Sequence, residues 1–75
     1  MRDIAKEAYD ACAVGGTGWM RPDISRGETL MAFQAVAEVS APAMQDAGII
    51  FIQEIHRESQ TGNRMVDAIQ FMRVR

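Results

Sequence analysis

Seventy-five residues allow one domain, 1–75, and a chain this short buries only about 60% of the surface its unfolded form exposes, so a lone copy is expected to be marginally stable and a partner to help it. Hydrophobic residues at 48% against 24% charged exclude a disordered tail, and a formal charge of −2 with a pI near 5.2 excludes a global attraction to nucleic acid. Apolar runs such as Ile49 to Ile52 fall far short of the roughly 20 residues that span a bilayer, Cys12 alone cannot form an internal disulfide, and charges at Arg2, Asp3, Lys6, Glu7 and Asp10 replace an apolar signal core. A cytoplasmic protein without a membrane segment is expected.

Met1, Ile4, Ala5, Ala8, Ala11 and Cys12 share one stripe at about 3.6 residues per turn, with Asp3, Lys6, Glu7 and Asp10 opposite, which predicts an amphipathic helix from Asp3 to about Val14. Its alanines at 5, 8 and 11 permit close approach of another backbone. Gly15, Gly16 and Gly18 stop that helix, and a short extended piece is expected over Thr17–Arg21. Ser25 and Glu28 stand at capping-box spacing, predicting the start of a second helix that is apolar nearly all round, through Leu30, Met31, Phe33, Val36 and Val39. Ser40-Ala41-Pro42 is expected to break or kink it. Pro42 then opens a short third helix to Ala47, closed by Gly48.

From Ile49 to Val74 the β-branched and aromatic residues flanking Ser59-Gln60-Thr61-Gly62-Asn63 predict a hairpin. Pairing Ser59 with Arg64 sets Phe51 opposite Met72, Ile52 opposite Phe71 and His56 opposite Asp67. A shift by two would oppose Glu58 and Asp67, which like charge disfavours. One face then carries Ile49, Phe51, Ile55, Val66, Ala68, Met72 and Val74, and the other carries Ile50, Ile52, Ile69 and Phe71. A hairpin apolar on both faces at its base calls for a further strand or a second subunit. The class is α+β, in the order α-(β)-α-α-β-β, with two to three helices before the hairpin.

Chemistry is sparse. One cysteine and one histidine in different elements do not make a metal site, and no cofactor is implied. Cys12 reads as a small buried hydrophobe, and His56 with Asp67 as a surface ion pair. The Gly15–Gly18 cluster follows a helix and has no lysine, unlike a phosphate-binding loop. No enzyme is expected. Trp19, Met20 and Phe33 are the candidate partner-binding residues, since tryptophan in a loop either anchors on the domain's own core or forms a hot spot for a partner.

The segment Met44-Gln45-Asp46-Ala47-Gly48-Ile49-Ile50, followed by a hairpin, resembles the junction before the wing in winged helix-turn-helix proteins. The resemblance covers about a third of the chain and implies a winged-helix-like order, with DNA gripped by Arg57, Gln60, Asn63, Arg64, Arg73 and Arg75. Lysine and arginine are nevertheless absent between Arg26 and Arg57. The segment in the recognition-helix position offers only Gln45 and Asp46. The preferred expectation is therefore a small protein-binding module acting as a homodimer. Regulators, adaptors and the inhibitors that phages and mobile elements direct at host systems belong to this class. A winged-helix DNA-binding regulator is the second expectation.

Overall fold

The computed structural model describes residues 3–60 and 62–75. Met1 of the predicted stripe, Arg2 among the leading charges and Thr61 of the turn cluster lie outside the described residues. In chain order come α1 (Ile4–Ala11), β1 (Thr17–Met20), a 3-10 turn (Ile24–Arg26), α2 (Leu30–Ala35), a π turn (Val36–Ser40), α3 (Ala41–Asp46), β2 (Ile50–Arg57) and β3 (Val66–Arg73). This is a small α+β fold in the order expected from the sequence. The further strand that the two-faced hairpin demands is β1.

Asp3 caps α1 by accepting from the Lys6 N–H at 3.0 Å. Lys6 also donates to Asp10 one turn on, and that hydrogen bond raises the lysine's pKa. The second helix starts later than the Ser25–Glu28 spacing suggests. Ser25 lies in the 3-10 turn capped by Asp23, and Gly27, at φ 80°, stops that turn in a left-handed conformation no helix can continue through. The Ser25 hydroxyl and N–H, both donating to Asp23, hold its carboxyl below the usual range. Glu28 does reach back, but to the Asp23 N–H. Thr29 is the cap, its Oγ1 accepting from Ala32 N–H at 3.1 Å.

At Ser40-Ala41-Pro42, where the helix was expected to break or kink, it does not break. Ser40 and Ala41 keep helical backbone angles, so α2 and α3 continue one another through the π turn, in which the Ala41 N–H donates to the Val36 carbonyl five residues back. Proline lacks an N–H and clashes with the carbonyl four residues earlier in a regular helix, and the wider turn directly ahead of Pro42 alters that spacing. Gly48 closes α3 as expected. Its N–H donates to Gln45 O, and that of Ile49 to Met44 O.

The sheet is antiparallel in the order β1-β3-β2, so the last strand in sequence is central. Phe51 pairs with Met72 and Ile52 with Phe71, the predicted register. One-residue bulges then intervene, at Gln53 on β2 and Asp67 on β3, so His56 lies opposite Ala68 while its side chain still meets Asp67. The bulges move two residues off their predicted face. Ile55 pairs with Ile69 and Val66 enters the core, instead of both joining Phe51.

The helices pack on one side of this sheet: α1 on β1, α2 on β3 and α3 on β2. Met20, Phe33, Ile50, Ile69 and Phe71 fill the space between the layers with almost no exposure. Ala5 and Ala41 are buried where α1 crosses the π turn, the close approach the small residues allow. Among the described residues no helix is long and apolar enough to cross a membrane.

Candidate interaction surface

Strand alternation separates the two neighbours Trp19 and Met20. Trp19 pairs with Gln70 on the side of the sheet facing away from the helices and is 38% exposed, whereas Met20 pairs with Ile69 and is fully buried. Phe33 is also buried, at the centre of the helix layer. The grouping of Trp19, Met20 and Phe33 as one contact surface is therefore corrected. Only Trp19 is accessible, because the other two supply the core that joins the layers.

Around Trp19 the outer sheet face holds Thr17, Phe51 and Met72 toward the base and His56, Asp67 and Ala68 toward the tip. Phe51 is 55% exposed. The Arg21 guanidinium lies 4.8 Å from the centroid of the Trp19 ring, and the two residues border a shallow pocket of about 320 Å³ with His56, Asp67 and Ala68. His56 Nδ1 stands 2.5 Å from Asp67 Oδ1. The bulge at Asp67 presents that carboxylate to the histidine despite the shifted pairing.

The six residues expected to grip DNA divide between two ends of the hairpin. Arg57, Gln60, Asn63 and Arg64 are exposed around the tip, and the Arg57 guanidinium donates to the Arg64 carbonyl at 3.1 Å. Arg73 and Arg75 lie at the far end of β3, an eight-residue strand about 25 Å long. Arg73 is engaged within the fold. Its Nη1 donates to the Tyr9 and Cys12 carbonyls at the end of α1, its Nε donates to the Arg75 carbonyl, and its guanidinium stacks 4.1 Å over the Tyr9 ring. Arg73 thus offers no free cation for phosphate.

A second uncovered surface lies on the opposite side of the molecule, along the continuous helix. Met31 is 74% exposed and Val39 66%, with exposed Ala35 between them. An ordinary solvent-facing helix flank carries charge at such positions. Beside this stripe an apolar groove of about 610 Å³ opens between the start of α1 and α2, lined by Ile4, Thr29, Ala32, Phe33 and Val36 among others.

Sequence reasoning did not single out Gln34. Its amide donates to the Val66 carbonyl at 2.8 Å and accepts from the Val66 N–H at 3.0 Å, standing in for a neighbouring strand. A lone amide in an otherwise apolar helix was the available signal. Cys12 is buried beneath the sheet and His56 is exposed on its outer face, so the fold keeps them apart. Among the described residues no three His, Cys, Asp or Glu side chains gather in a way that could hold a metal ion. No protein family, curated protein or solved structure matches this chain.

Proposed function

We propose that this chain is a small non-enzymatic protein-binding module, a regulator, adaptor or inhibitor working in the cytoplasm, that acts as a dimer. The observation that carries the reading is the pair of uncovered apolar surfaces on opposite layers, Trp19 with Phe51 and Met72 on the sheet and Met31 with Val39 on the helix. Two surfaces allow self-association and partner binding without competition. The sheet face carries tryptophan, phenylalanine, methionine and arginine, residue types enriched in hot spots for another protein, around the polar Gln70–Glu54 pair. Polar His56, Asp67 and Gln70 lie beside them.

The test compares what wild type, Trp19→Ala and Phe51→Asp retain from a lysate. The expected result is a protein held by wild type and lost by both variants, whose purified form shifts the emission of Trp19, the only tryptophan. Retention unaffected by either variant rules out the sheet face as the site.

The exposed Arg57 and Arg64 at the hairpin tip favour a second reading, a winged-helix DNA-binding regulator, against the continuous run of α2 into α3, which leaves no turn before a recognition helix. It predicts binding to a random duplex that collapses between about 50 and about 200 mM salt and that weakens in Arg57→Ala and Arg64→Ala. No duplex binding at either salt removes this reading and leaves the first standing.

A further inference from the structure

Granting the dimer proposed above, we infer that the second copy docks on the helix layer, antiparallel, along the stripe of Met31, Ala35 and Val39, leaving the Trp19 face free for the partner. The two apolar surfaces differ in what they fit. The sheet face mixes aromatic residues with Arg21, His56 and Asp67, whereas the stripe is aliphatic throughout, as obligate homodimer interfaces tend to be. A two-fold axis near Ala35 sets Met31 of one copy beside Val39 of the other, so each exposed knob meets an apolar position. The groove bounded by Ala32, Phe33 and Val36 adjoins the stripe and, with the axis near Ala35, lies across from Val39 of the other copy.

Charge settles the direction. Arg26 stands just before the N-terminal end of the stripe and Asp46 ends it, and Glu38 is the only other charged side chain from Leu30 to Asp46. Antiparallel packing brings each Asp46 toward the partner's Arg26 and toward the positive end of the partner's helix. Parallel packing sets Asp46 against Asp46. Arg26 keeps only an exposed contact with Asp23 at 3.7 Å within its own chain, which leaves its guanidinium able to turn outward. A standard interface takes about 800 Å² from each partner, about a sixth of this chain's 4820 Å². The broadest side of the molecule measures 35 by 22 Å.

Sedimentation equilibrium of the full chain tests the arrangement. Wild type should be a dimer in the micromolar range, and Ala35→Glu should raise the dissociation constant by about a hundredfold or more while the circular dichroism spectrum is unchanged. Val39→Glu, at a second exposed position, should do the same. Phe51→Glu should leave the dimer intact. Asp46→Lys should weaken it, because lysine then faces the partner's Arg26; an unchanged dissociation constant, the outcome when like charges at position 46 face each other before and after the substitution, would overturn the antiparallel geometry. A wild-type monomer at hundreds of micromolar removes the dimer from the proposed function as well. A dimer that survives both stripe variants overturns this inference alone, and its loss in Phe51→Glu would place the interface on the sheet.

Discussion

Gln34 shows how one side chain can replace a strand. Val66 begins β3, is buried, and has both its N–H and its carbonyl satisfied by the glutamine amide. Gln34→Leu fills the same space but leaves both backbone groups unpaired, so unfolding stability in urea should drop by roughly 2–3 kcal/mol, more than its gain in hydrophobicity returns. Gln34→Glu has a different signature. Its carboxylate still accepts from Val66 N–H but cannot donate to the Val66 carbonyl, so the loss should shrink as pH falls and the carboxyl protonates. A variant whose stability is independent of pH would show that the carbonyl bond contributes nothing.

Among the elements, what the sequence made legible and what it hid divide along a physical line. Strand and helix types were readable because periodicity is local: α1 starts after Asp3, Gly48 ends α3, and Phe51 meets Met72, whereas the Ser25–Glu28 capping spacing pointed to a start that Thr29 makes instead. The bulges at Gln53 and Asp67 were not. A hairpin apolar on both faces at its base keeps a plausible pattern when one residue is inserted, so alternation carries no trace of the slip. Nor could an all-round apolar helix announce which side faces the sheet, which is why Phe33 was read as a surface residue and the Met31–Val39 stripe was not singled out. Of the candidate site, Trp19 was legible, and its separation from Met20 followed only once β1 was paired. The β1–β3 contact sets a further expectation. A Cβ at Gly18 would stand 3.0 Å from Phe71 Cζ and 3.6 Å from Cys12 Cβ, so Gly18→Ala should cost about 1–3 kcal/mol through overpacking. Adding Phe71→Leu, which shortens the ring, should recover part of that loss; additive losses in the double variant would show that the clash is relieved elsewhere.

At the scale of the whole molecule, a two-layer domain has only one interior, and among the described residues Met20, Phe33, Ile50, Ile69 and Phe71 are the largest side chains fully buried in it. Apolar residues remain on both outer surfaces. If association covers one of them, stability becomes a function of protein concentration: the thermal midpoint should rise steadily as the chain is concentrated from about one to about a hundred micromolar, by mass action. A midpoint unchanged over that range would mean that the folded chain stands alone. The β2 edge of the sheet does not invite the same covering. The Ile52 N–H on β2 is taken by Gln45 at 2.8 Å, and the bulge at Gln53 follows directly, so strand-to-strand extension is blocked where it would otherwise begin.

The placement of β3 between β1 and β2 also dictates when the fold can form. Both outer strands are made first and have nothing to pair with until residues 66–73 are available. During synthesis the chain must therefore wait, with β1 and the apolar helix exposed, for its last strand to leave the ribosome. The hydrogen bond from the Tyr9 hydroxyl to the carbonyl of Arg75 and the Arg73 clamp on the end of α1 join groups 61 to 66 residues apart. Such distant closures place folding among the slower small domains. Until they form, the nascent chain is a client for whatever shields apolar surface in the cell.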